Sequence, residues 1–295
     1  MCHLKNPRTL LILSMCIFGT IPLLVRYIPL SSGEIALWRA ALAALMLGIY
    51  ILISKERLSI GKSRKTLIFL TVSGAVIALN WIFLFESYRF TSVANATLSY
   101  YFAPVLVTVL SPIVFKEKVT PLGIISFILS TVGIVLITGV GEGSESDLIG
   151  IALGLAAATL YALAIMFNKA LGGVPLFHRS FLQFVSATAV LLPYVLFSGK
   201  IGIHTLEPTA LCALAVLGIV HTGVSYCMYF SAVGNLSGGK IAILSYIDPL
   251  LAVVLSVALL GEDITPLQII GGILILGASL ASELLPSLKG HSQNS

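Results

Sequence analysis

Three charged side chains interrupt long apolar stretches of this 295-residue chain, and each needs a physical reason to be there. Asp248 is the only charged residue in AILSYIDPLLAVVLSVALL, residues 242–260. Arg39 lies within the apolar run 33–53, and Glu86 near the end of the run 67–88. A charge at the centre of a membrane-spanning helix costs about 2.5–3.5 kcal/mol on insertion scales, so such residues face a wet cavity, pair with one another, or mark a solute or proton path. Asp248 therefore reads either as a ligand for a solute or proton, or as the ion-pair partner of Arg39 on a different helix. Glu34 and Lys240 lie near helix ends, where long side chains reach the interface.

Around these charges stand residues suited to holding a flat or apolar solute. Trp81 and Tyr226, with Phe83, Phe85, Tyr229 and Phe230, are cavity wall or core packing. Tyr101 and Tyr246 each lie three residues before a proline, Pro104 and Pro249. Proline lacks the N–H that would bond the carbonyl four residues earlier, so each should free one carbonyl, of Tyr100 and Ser245, deep in the membrane. Pro104 and Pro249 are thus hinges lining a path, or packing kinks. His221 either exchanges protons or is a packed helix residue. The expected solute site comprises Asp248, Tyr246, Tyr101, Arg39, Trp81, Tyr226 and His221.

These residues must be positioned by membrane helices. Hydrophobic residues make up 58% of the chain and charged residues 10%, where a soluble domain carries about a quarter charged residues. Ten apolar runs of spanning length are predicted, near 9–28, 33–53, 67–88, 92–115, 120–139, 148–169, 176–197, 208–232, 237–260 and 265–285. The gaps between them are short, so no soluble domain fits. The first run lacks a small-x-small cleavage site and is expected to remain as a helix. With the N-terminus inside, 13 Lys and Arg fall on the inner side and 3 on the outer, Arg39 being within a span. Both termini are then cytoplasmic. The net charge of +5 comes from this asymmetry rather than from nucleic-acid binding. The four cysteines show no paired spacing, and no metal or cofactor motif is present.

An offset of 145 residues aligns LSYYFAPVLVTVLSPIVFKEKVTPLGII (98–125) with ILSYIDPLLAVVLSVALLGEDITPLQII (243–270), and twelve of 28 positions are identical. The matches include Tyr101/Tyr246, Pro104/Pro249, Glu117/Glu262, Thr120/Thr265 and Pro121/Pro266. Apolar composition alone does not place these polar residues and prolines in register. Thr120-Pro121 and Thr265-Pro266 suit a helix N-cap and first turn, and with Glu117 and Glu262 they read as structural turns. Each copy, 9–139 and 148–285, holds five helices. An odd number forces the second copy to enter the membrane from the opposite side. Inverted repeats of this kind are a transporter architecture with the site near the midplane, at interrupted helices between the halves. GIALGLAAATLYALA (150–164) and GGILILGASLAS (271–282) provide small-residue packing faces.

FTSVANATLSYYFAPVLVTVLSPIVFKEKVTPLG and LSGGKIAILSYIDPLLAVVLSVALLGEDITPLQ resemble the two repeat signatures of EamA-type carriers of the drug/metabolite transporter superfamily. The resemblance implies ten helices around a central cavity, alternating access, and export or exchange of a small metabolite across a bacterial plasma membrane. It also implies that an acidic residue before the second proline recurs, which strengthens the interest of Asp248. The expected activity is secondary transport of a hydrophobic or aromatic solute such as an amino acid. Drug or cation efflux by proton exchange is the alternative. An intramembrane lipid-processing enzyme is the alternative of another class, against which stands the lack of GxSxG, HExxH or a clustered acidic motif. The expected partners are a small-molecule solute and the lipid bilayer, not nucleic acid, and a homodimer is left open.

Overall fold

The computed structural model describes residues 6–55, 58, 63–116, 120–138, 144–171, 173–198 and 202–292. All its regular elements are helical. The first half of the chain forms α1 (Pro7–Gly19), α2 (Ile21–Tyr27), α3 (Ser32–Ile53), α4 (Arg64–Phe90), α5 (Val93–Tyr100), α6 (Ala103–Phe115) and α7 (Pro121–Ile137). The second forms α8 (Glu145–Ala170), α9 (Leu176–Phe197), α10 (Pro208–Gly218), a π-helical segment (Ile219–Val224), α11 (Ser225–Val233), α12 (Gly238–Ser245), α13 (Ile247–Leu260) and α14 (Pro266–Ser292).

Eight stretches among the described residues are long and apolar enough to cross a membrane, several of them built from consecutive helical segments: Pro7–Tyr27, Val93–Phe115, Pro208–Val233 and Gly239–Leu260. The runs expected at 120–139 and 265–285 appear as shorter apolar stretches, Pro121–Ile137 and Pro266–Ser282. A 17-residue helix rises about 25 Å, a few ångströms less than the roughly 30 Å hydrocarbon core.

Local chemistry explains where the helices start and stop. Ser31 and Glu34 form a reciprocal capping box at α3, and Ser144 and Asp147 do the same at α8. Thr120 accepts from the Gly123 amide, with Pro121 at the first helical position of α7. Thr265 and Gln268 exchange two bonds at the start of α14. At their C-terminal ends α6 and α13 both stop on a left-handed residue, Lys116 (φ 56°) and Gly261 (φ 66°), the same position under the 145-residue offset. Glu117 lies outside the described residues.

The largest core cluster joins α3, α4, α9 and α10, with Leu47, Phe85, Leu191 and Leu217 fully buried. Outward-facing apolar residues such as Phe197, 91% exposed, have no protein neighbour to cover them, as expected of a lipid-facing surface. The small-residue faces allow close approach. A Cβ on Gly150 would lie 2.6 Å from Thr91, and one on Gly271 would lie 2.7 Å from the Gly133 carbonyl. Any side chain there would push these helices apart.

Candidate functional site

The two proline-bearing helices are broken, and the breaks meet. α5 ends at Tyr100, Tyr101 and Phe102 form a turn, and Pro104 lies in the first turn of α6. α12 ends at Ser245, Tyr246 turns the chain, and Pro249 lies in the first turn of α13. This corrects the expectation of kinks inside continuous helices. A proline in a first turn has no intrahelical bond to lose, so the helices are interrupted at the turns Tyr101–Phe102 and Tyr246. The Tyr101 carbonyl accepts from the Ser279 hydroxyl at 3.1 Å, which ties the first break to α14.

Across the breaks, the Tyr101 hydroxyl donates to Asp248 Oδ2 at 2.7 Å, and the Tyr101 and Tyr246 rings lie 6.1 Å apart. Asp248 is thus a half-buried carboxylate at the start of α13, where the helix dipole favours negative charge.

Arg39 is held differently. Its Nε donates to Thr222 Oγ1 at 2.8 Å, and its guanidinium lies 4.1 Å from the Trp81 ring centroid and 5.6 Å from that of Phe85. Thr222 lies in the π-helical segment and spends its own proton on the Leu217 carbonyl five residues back, at 3.0 Å. Its oxygen is therefore left to accept from Arg39. His221 and Ser225 also reach carbonyls five residues earlier, those of Val216 and Val220, so three side chains brace the widened turn. π-turns of this sort recur at functional sites.

Arg39 and Asp248 do not neutralise each other directly. The ion pairs among the described residues are Arg26–Glu262 and Arg89–Glu86, which goes against the ion-pair alternative for Asp248. Arg39, 4% exposed, keeps both terminal nitrogens without a protein hydrogen bond among the described residues, and Asp248 keeps Oδ1 likewise. Neither is an orphaned buried atom. Two opposite charges with unused hydrogen-bonding capacity therefore stand within each other's field but apart.

Aromatic rings complete the surroundings. Trp81 packs on Phe184 at 5.6 Å, Phe184 on Tyr226 at 5.3 Å, and Tyr226 on Phe18 at 5.3 Å. The sequence reading missed Tyr88, which is buried, and Tyr100, whose ring stacks on Tyr161 at 5.2 Å and meets Tyr101 edge-on at 6.0 Å. Both lie close enough to Arg39 to interact electrostatically with it. Their tyrosine chemistry was visible, but nothing in the spacing pointed them inward.

Other polar residues in the spans tie helices together. Both ring nitrogens of His221 are engaged, one with Thr20 Oγ1 at 2.8 Å and the other with Val216 O at 3.2 Å. It links the α1–α2 junction to the π-segment and offers no free nitrogen to a solute. Asn80 donates to the Ala157 carbonyl, and Gln183 to Ser73 and Asn168. Glu34 is buried rather than interfacial and accepts from the Gly202 amide at 2.6 Å. Glu86 accepts from Ser32 at 2.5 Å, and Arg89 donates to the Leu30 carbonyl. No cluster of three His, Cys, Asp or Glu able to hold a metal occurs among the described residues. A cavity of about 160 Å³ between α3 and α9, lined by Leu37, Trp38, Ala41 and Leu192, lies on another stripe of α3 from Arg39 and is not this site.

A multi-pass helical membrane protein with paired helix breaks around isolated charges is built to pass a solute, and comparison with known proteins supplies the class. The chain belongs to the EamA-like transporter family, whose profile matches residues 8–139 and 148–282. It is a membrane transporter, not an enzyme. It is 30% identical over 268 residues to an uncharacterized transporter, YxxF, of Bacillus subtilis (strain 168), covering 90% of this chain and 85% of that one. Over 177 residues it is 28% identical to a probable amino-acid metabolite efflux pump of Salmonella typhimurium, 57% of this chain and 59% of that one. A crystal structure 17% identical in sequence superposes with a TM-score of 0.67 over 95% of this chain and 97% of that one, so the fold is shared.

Proposed function

We propose that the protein exports a small amphoteric metabolite, an amino acid with an apolar or aromatic side chain being the first candidate, by alternating access across a bacterial plasma membrane. The observation that carries this reading is a pair of charges with spare hydrogen-bonding capacity among the described residues: the two terminal nitrogens of Arg39, over Trp81, and Oδ1 of Asp248, at Tyr101. A solute carboxylate suits the planar guanidinium, which binds carboxylates through two parallel bonds. An ammonium suits Asp248, and the side chain suits Trp81, Tyr226 and the paired tyrosines 101 and 246. Each charge is then neutralised by solute rather than by the other.

In this reading the two halves, 9–139 and 148–285, are inverted five-helix repeats giving ten crossings, with α7 and α14 as the fifth of each and both termini in the cytoplasm. The odd helix number and the 13-to-3 distribution of Lys and Arg support that orientation. The efflux assignment of the Salmonella relative supports the outward direction.

Counterflow in proteoliposomes with labelled amino acids tests the proposal. Flux of an aromatic or branched amino acid, lost in Asp248→Asn and in Arg39→Gln, is expected. If an organic cation moves in exchange for protons, and Arg39→Gln leaves that flux intact, the cation-efflux reading replaces it, with Asp248 as counter-ion.

A further inference from the structure

Glu262 joins residues 236 positions apart through its bond to Arg26, a geometry not foreseen for a residue on a turn. It follows left-handed Gly261 at the end of α13 and sends its carboxylate away from its own half. Oε1 accepts from the Val93 amide at 2.9 Å and from Arg26 at 2.9 Å, and Oε2 accepts from the Ala94 amide at 3.4 Å. Arg26 also donates to the Thr91 carbonyl at 3.4 Å. Ser92 already caps the Asn95 amide, so Glu262 takes the two α5 amides that would otherwise be unpaired, at the positive end of the helix.

All three donors belong to the first half, and the acceptor belongs to the second. The contact therefore survives only while the halves stay together at this end. Here α5 packs closely against α13. Under the 145-residue offset the matching pair is α12 with α6, and these show no comparable packing among the described residues. The N-cap of α12, Ser237, makes no side-chain capping bond. Among the described residues, the α5–α13 crossing is the closed one.

We infer that Glu262 is the latch of a gate, joining the halves at the Arg26 end by its bonds to Arg26 and the first amides of α5, and releasing them when that end opens. The position suits release. The Glu262 side chain is 11% exposed and that of Arg26 39%, so water can replace every bond as the halves part. A tether meant to be permanent would gain from deeper burial. The inference rests on the transporter reading but not on its solute class.

Thiol labelling tests it on the full-length protein in membranes. The four native cysteines are replaced, and Tyr88→Cys serves as reporter, a buried position in the last turns of α4 on the site side of the latch. A membrane-impermeant maleimide is applied from the Arg26 face. Glu262→Gln should raise the labelling rate about tenfold, because charge-assisted bonds are the strong ones. Arg26→Gln should raise it less, since the amide bonds remain, and serves alone if the first variant does not fold. An unchanged rate in the folded variants would overturn the latch. So would an equal rise at Ser73→Cys, buried toward the other end of α4, which would mean general loosening. Labelling needs no solute, so a rise without amino-acid flux keeps the latch and rejects the solute class.

Discussion

The break between α5 and α6 and the break between α12 and α13 share a sequence pattern but differ in environment. Each has a tyrosine, a turn, a proline in the following first turn, and a left-handed residue a dozen positions on. At the position before the proline, however, one carries Ala103, fully buried among Phe102, Val105 and Ala158. The other carries Asp248, half-buried and bonded to the tyrosine of the first break. The lesson is that repetition supplies a helix break twice, while the carboxylate is installed once. One break packs against α8, and the other sets its carboxylate on the tyrosine of the first.

Exchanging the two residues should give the largest effects. Ala103→Asp places an uncompensated carboxylate in an apolar contact with α8, at a cost of several kcal/mol, and should abolish accumulation of folded protein, read by size-exclusion yield in detergent. Asp248→Ala should fold, because it removes a half-buried charge, yet lower the counterflow rate on the order of a hundredfold. If Ala103→Asp folds and transports, the asymmetry between the breaks has been misjudged.

Cutting the bond that joins the breaks should come next. Tyr101→Phe deletes the hydroxyl that orients Asp248 and should weaken transport about tenfold, the worth of one hydrogen bond to a charged group. Tyr246→Phe should have a different and smaller effect, because its ring still packs on that of Tyr101 and the Tyr101–Asp248 bond is kept. Equal losses in the two would erase that distinction.

Thr222→Val should raise the apparent KM about tenfold by freeing the Arg39 guanidinium to rotate, with little change in yield. Thr222→Ser keeps an oxygen and should restore most of the affinity. This separates positioning of Arg39 from general packing, since valine keeps the buried volume and loses the oxygen, while serine keeps the oxygen and loses the methyl.

The smallest effects concern the left-handed caps. A side chain with a Cβ in this conformation costs about 1 kcal/mol, which glycine avoids. Gly261→Ala should therefore lower the thermal unfolding midpoint by a few degrees, and Lys116→Gly should raise it by a similar amount. A shift of the same sign in both would mean that contacts, not backbone conformation, govern these ends.

Much of the site was legible because membrane insertion penalises charge and proline so heavily that their presence is informative. Asp248, Arg39, Tyr101 and both prolines stood out on that ground, and the structure brings Tyr101 and Asp248 into contact. The partners were not legible. Arg39 is bonded by Thr222, a residue that reads as ordinary in a helix until the π-turn swings its oxygen toward α3. His221, chosen for its titration range, is occupied on both sides. Glu262 was assigned to its own turn by its neighbours in sequence, but its acceptors are satisfied about 170 residues away by α5.

Composition, spacing and the 145-residue repeat by themselves determined that this chain lives in a bilayer, roughly where its apolar stretches run, and that something interrupts them near Pro104 and Pro249. Those properties depend on local backbone chemistry and on the cost of burying charge in lipid, both of which act residue by residue. Which break carries a paired carboxylate, which arginine nitrogens stay open, and which crossing is shut were decided only by tertiary structure. They depend on side chains from helices far apart in sequence meeting at a few ångströms, and hydrogen bonds at that range are set by packing rather than by spacing along the chain.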